Sequence, residues 1–188
     1  MKYDVCHASK DFIRESGVLI DSLIYSETKA MEGFGNDSVF RIFCAMILPL
    51  FKTGAEMTES LLFLSSYEPI IAIAENAQDE LFAVRKALTE TKKNNNSTCS
   101  DDEKKMFAEK SEKILKRLFD DLATSDISER LCCDYIRYMI CILEGAVRLC
   151  GCAAEYEKNG DIIFIERSVE MKCRNLMHQM NGLLSLIK

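Results

Sequence analysis

A chain of 188 residues has material for one domain with a sizeable core, and 48% hydrophobic against 29% charged residues is an ordinary globular balance. A formal charge of -6 excludes a general nucleic-acid binder, because phosphate contacts need a basic surface. Eight Gly and only two Pro leave few obligatory breaks, which favours helices over a strand-and-turn architecture.

The first residues, Met-Lys-Tyr-Asp-Val-Cys-His, lack the apolar core of a signal peptide. A first helix is expected from about Ser9 to Met31, with Phe12, Leu19, Leu23 and Ile24 on one side. Gly33-Phe-Gly-Asn-Asp then reads as a turn, and Asp37 or Ser38 as the cap of a second helix reaching about Leu64. Pro49 falls inside that helix and predicts a kink, since proline lacks a backbone donor and crowds the preceding turn. The apolar run at 42–51 is far short of the roughly 20 residues a membrane span needs. Ser66-Tyr-Glu-Pro opens a third helix with Pro69 in its first turn, continuing through Ile73, Leu81, Val84 and Leu88.

Residues 92–105 are polar, and 92–99 form the expected loop. Ser100-Asp-Asp-Glu103 reads as a capping box for helix four, which carries Phe107, Ile114, Leu115, Leu118, Phe119 and Leu122. Asp126-Ile-Ser-Glu129 is the expected cap of helix five, which runs toward Tyr156. Asn159-Gly160 is read as a helix stop, and helix six begins near Asp161 and reaches Ile187. Ile162-Ile-Phe-Ile165 is β-branched enough to start a strand, but no partner strand is evident. From Met139 to Ala154 helix five is apolar nearly all round, interrupted by Glu144 and Arg148 at pairing distance. Such a helix is central in the bundle or lies in a homodimer interface; central burial is the expectation.

The two sides of the polar loop share patterns. Leu19, Leu23 and Ile24 recur as Ile114, Leu118 and Phe119; Gly54-Ala55 recurs as Gly145-Ala146; Glu75 and Asp79 recur as Glu166 and Glu170. Two three-helix units in pseudo-repeat would produce these recurrences. The nine cysteines are odd in number, sit mostly in apolar helical runs and include no Cys-x-x-Cys, so free thiols in a reducing cytoplasm are expected rather than disulfides or a zinc knuckle. The sequons at Asn36 and Asn95 are attributed to chance.

Four carboxylates are the best candidate site. Glu75 with Asp79, and Glu166 with Glu170, lie four residues apart on single helix faces, where each pair could ligate a divalent or iron-type metal; the competing reading is solvent-facing acids. Ile163-Phe-Ile-Glu-Arg-Ser-Val-Glu170 resembles the Glu-Arg-Ile-Gly-Asp segment of PhoU-like phosphate-signalling regulators, with Ile73-Ala-Glu-Asn-Ala-Gln-Asp79 as the first-repeat counterpart. That resemblance implies two three-helix repeats and a regulatory role. Arg174 and His178 share a helix face in a segment similar to the Arg-Asn-x-x-x-His motif of helical HEPN ribonucleases, one residue short. A ferritin-like di-iron site fails, since neither histidine has a Glu three residues before it. No Gly-x-Ser-x-Gly and no glycine-rich phosphate loop occurs.

The chain therefore reads as an all-α bundle of about six helices, a single domain over 1–188 with pseudo-halves 9–91 and 100–188. The expected role is non-enzymatic regulation in the cytoplasm, PhoU-like, through a protein partner bound on a helical face. Two alternatives stand beside it. One is a viral or parasite adaptor with an apolar partner groove; the other is a helical nuclease or metal-dependent enzyme using Glu166, Glu170, Arg174 and His178.

Overall fold

The computed structural model describes residues 5–31, 37–94, 99–125, 127–128 and 130–187, with side chains in its first segment from Ala8 to Glu27. The expected turn at 33–36, loop residues 95–98, the cap residues Asp126 and Glu129, both sequon asparagines and the side chains of Cys6 and His7 lie outside it. Six helices follow in order: α1 (Val5–Met31), α2 (Val39–Leu64), α3 (Glu68–Asn94), α4 (Asp101–Ala123), α5 (Leu131–Tyr156) and α6 (Gly160–Ile187). The protein is an all-α bundle, and the segment at Ile162 is the first turn of a helix rather than a strand.

Local chemistry explains most of the ends. Ser38 caps α2 by accepting the Arg41 backbone N–H at 3.3 Å. At α4 the capping box forms reciprocally: Ser100 Oγ accepts from Glu103 N at 3.3 Å, and Glu103 Oε2 accepts from Ser100 N at 2.9 Å. Pro49 is accommodated in α2, which continues to Leu64.

α3 runs on to Asn94, three residues into the expected 92–99 loop. Two helix starts also differ from expectation. The residue preceding α5 is Arg130, which offers no side-chain cap. The fastening comes from inside the helix, where buried Asp134 accepts from Ser128 N at 2.8 Å, Ser128 Oγ at 2.7 Å and Ser9 Oγ at 3.3 Å. One carboxylate thus ties α1, the preceding loop and α5 together. The second correction is Asn159-Gly160, which starts a helix instead of stopping one. Asn159 Oδ1 accepts from Asp161 N at 3.0 Å, and Gly160 is the first residue of α6.

Burial identifies the centre. Sixteen of the 26 residues of α5 and fourteen of the 26 of α2 are buried, against five of 23 in α4. α2 and α5 cross the middle in opposite directions, joined where Tyr135 Oη meets Thr58 Oγ1 at 3.0 Å and where Gly54 faces Met139. α1 and α3 flank α2, and α4 and α6 flank α5. Phe12 sets its ring edge-on to Tyr135, with centroids 6.2 Å apart, and Asn76 on α3 bonds Gln179 on α6 at 3.0 Å. Between the first three helices and the last three, α2 packs on α5, α3 on α6, and α1 on both α5 and α4.

The recurring glycines do different jobs. A Cβ at Gly54 would sit 3.4 Å from Leu81 and Met139, an ordinary contact, whereas one at Gly145 would meet buried Leu118 Cδ2 at 2.8 Å. At Gly151 an added Cβ would meet nothing within 4 Å. Gly145→Ala should therefore lose stability, roughly 1 kcal/mol net once overpacking is set against better helix propensity. Gly151→Ala should gain up to about 1 kcal/mol. Urea unfolding of both variants checks this; a stabilised Gly145→Ala would contradict the packing of α4 on α5.

Candidate functional site

The four carboxylates do not share one environment. On α3 the buried stripe is Ile70, Ala74, Ala77, Leu81, Val84 and Leu88, which turns Glu75 and Asp79 to solvent. On α6 the buried stripe is Ile162, Glu166, Val169, Cys173, Leu176 and Met180. Glu166 thus occupies a core position of the helix period. It is 0% exposed and neither carboxyl oxygen has a hydrogen-bond partner. Burial, helped by the nearby Glu157 carboxylate, pushes its pKa up to about 8. Glu157 is itself held by the backbone N–H groups of Lys158 and Asn159, each at 2.9 Å.

Glu170 faces different surroundings one turn later. It accepts from Arg167 at 2.6 Å and from Arg174 at 3.1 and 2.8 Å. Partial burial works against its charge, but the hydrogen bonds from Arg174 and Arg167 win and hold its carboxyl below the usual range. Among the described residues no group of three or more His, Cys, Asp or Glu is placed to hold a metal ion, so the structure does not assemble the expected four-carboxylate set. His178 is exposed on α6, and the Arg174 guanidinium is turned back to Glu170.

The cysteines are placed as hydrophobes. None of the eight described is in a disulfide. Burial pushes Cys44 and Cys173 up to about 12, and raises Cys150, Cys152, Cys132 and Cys141 as well. A nucleophilic thiol needs the opposite shift.

Two concave features carry more. The first is a cleft of about 440 Å³ between α4, α5 and α6. Its rim holds Lys110 and Lys113 from α4, Arg148 from α5 and Arg174 from α6, with Glu155 and Glu170 among them; Ile114, Val147 and Gly151 line it too. Lys110 bonds Glu155 at 2.8 Å and lies 4.9 Å above the Tyr156 ring centroid. Arg148 reaches Glu144 at 3.5 Å, as their four-residue spacing predicts. In sequence, Lys113 looks like part of a solvated run with Lys116 and Arg117; its cleft neighbours come from other helices.

The second is an apolar groove of about 320 Å³ where α1 and α5 begin and α2 and α6 end. Ala8, Leu64, Tyr67, Leu131, Cys132 and Ile187 line it, and Arg130 closes one side by donating to the Ile187 carbonyl. Phe63 and Leu186, the chain neighbours of two lining residues, are 88% and 82% exposed. Among the described residues no helix is long and apolar enough to cross a membrane. Compared with protein-family models, curated proteins and solved structures, the chain has no match.

The buried carboxyls give the fold a pH signature. Glu27 on α1, also 0% exposed with no hydrogen-bond partner for either oxygen, is pushed by burial up to about 9. Each group keeps its proton in the folded state after the unfolded chain has lost it near 4.5. The contribution of these two groups to stability is therefore fullest below about 4.5, falls as pH rises, and levels off beyond about 8 for Glu166 and about 9 for Glu27. The limiting slope is about 1.4 kcal/mol per pH unit per group. Urea unfolding between pH 5 and 8 should show Glu27→Gln and Glu166→Gln each flattening the decline. An unchanged slope in both variants would contradict it.

Proposed function

We propose that the protein is a non-enzymatic helical regulator that binds an amphipathic helix of a partner protein in the groove between Leu64, Tyr67, Leu131, Cys132 and Ile187. The observation that carries this reading is the strong exposure of Phe63 and Leu186 beside an apolar groove. Isolated apolar residues on a surface need no explanation, but large ones flanking a concave apolar floor mark an interaction site. A helix laid in a groove uses such a floor for one apolar face and such flanks for its rim contacts. The chain's charge of -6 favours a basic partner helix.

The PhoU-like expectation of a regulator acting on a transporter or signalling partner is retained within this reading. It draws support from the arrangement of six helices around a central α2–α5 contact, with α1 and α3 on α2 and α4 and α6 on α5. The adaptor alternative uses the same groove and differs in whose helix fills it. A cytoplasmic setting is supported by the unpaired thiols of the eight described cysteines.

A photo-crosslinking residue at Phe63 or Leu186 should yield one defined protein adduct in cells. Placed at Phe164, on α6 away from the groove, it should not. Leu64→Lys with Phe63→Asp should abolish the adduct while leaving helicity and the melting temperature close to wild type. Equal adducts at Phe164, or an adduct only with a second copy of this chain, would overturn the reading.

A further inference from the structure

The cleft between α4, α5 and α6 is separate from the apolar groove and stands or falls without it. Its rim draws cations from three helices: Lys110 and Lys113, Arg148, and Arg174. With Arg167, which shares Glu170 with Arg174, these are five cations; the carboxylates paired with them are Glu144, Glu155 and Glu170. Five against three leaves a local excess of two positive charges on a chain whose net charge is -6. Convergent like charge that the fold does not neutralise is itself a cost, and a bound anion removes it.

The pairing is also weakly committed. Lys113 is exposed and makes no ion pair among the described residues. Arg148 and Glu144 are 37% and 45% exposed at 3.5 Å, so they give each other up readily. Two pairs are exceptions: Lys110 is held by Glu155 at 2.8 Å, and Glu170, satisfied from both sides, fixes Arg174 at the rim.

Gly151 is an independent observation. Inside a helix it costs about 1 kcal/mol relative to Ala. Gly145 is explained by Leu118, but a Cβ at Gly151 would enter open space, and its backbone needs no left-handed conformation. Gly17 and Gly182 are unopposed too, yet neither lines this cleft, whereas Gly151 lies in its wall with Arg148 and Cys152. Its missing side chain leaves that part of the cleft wall open.

We infer that this cleft binds a small organic molecule carrying two or more phosphate groups, with its body against Ile114, Val147 and Gly151 and its phosphates on Lys113 and Arg148. Arginine supplies a planar fork for phosphate oxygens and lysine a mobile point charge, and the cleft offers both from different helices. Its volume of about 440 Å³ exceeds what inorganic phosphate fills and falls in the range of small-molecule sites. The same phosphate chemistry could come from a lipid headgroup, so the test separates the sources.

Isothermal titration of the full chain with a hexose bisphosphate and with inorganic pyrophosphate is the experiment, run beside vesicles containing a phosphoinositide. The expected result is saturable, salt-sensitive binding of the bisphosphate at one site. Lys113→Glu with Arg148→Glu should weaken it at least about tenfold. Gly151→Leu should weaken it with the melting temperature retained, and Lys52→Glu on α2 should leave it unchanged. Absence of saturable binding to either soluble probe, binding to vesicles alone, or equal affinity in the Lys113–Arg148 variant would overturn the inference.

Discussion

The fold depends on one constraint: α2 and α5 are too apolar to face water on any wide arc, so each must be covered from several sides at once. Antiparallel packing against each other covers one side, and the flanking helices cover the rest. Phe43, Ile47 and Leu50 of α2 and Met139, Ile142 and Leu143 of α5 are fully buried. The polar contact of the seam, Tyr135 with Thr58, is satisfied internally, since Thr58 Oγ1 also donates to the Gly54 carbonyl at 2.7 Å. Each of these two helices packs on the other as well as on its own flanking helices.

Against that well-satisfied seam, two buried carboxyls without hydrogen-bond partners stand out. Glu27 and Glu166 occupy positions where an apolar side chain would bring no desolvation cost, and both lack hydrogen-bond partners. The fold tolerates them by keeping them protonated over much of the neutral range. Their role is consequently legible as a stability term, distinct from the two surface features proposed to bind ligands. The groove and the charged cleft lie at different places on α5, one at its first turn and one in its last three turns. The most buried helix thus lines both.

Helices were easy to read because their signals are local. Ser38, Ser100 with Glu103, and Pro69 near a helix start each act within one turn, and the structure uses each at the expected end. The start of α5 was harder, because Asp134 acts from within the helix and bonds Ser9, 125 positions away in the chain. Glu166 was misread for a different reason. Its spacing to Glu170 is visible, but so is its place in the series Ile162, Val169, Cys173, Leu176, and the second pattern decides which way it points. The charged cleft was not legible at all, since its cations are scattered over three helices and each looks solvated in its own segment.

Native-state hydrogen exchange on the full chain tests the shared core most directly. If α2 and α5 form a single seam, the most protected amides of both helices should exchange through the same opening, with a free energy equal to that of global unfolding. Separate openings, with residues 39–64 and 131–156 showing different limiting free energies, would mean that the two three-helix sets are independent and would contradict the account.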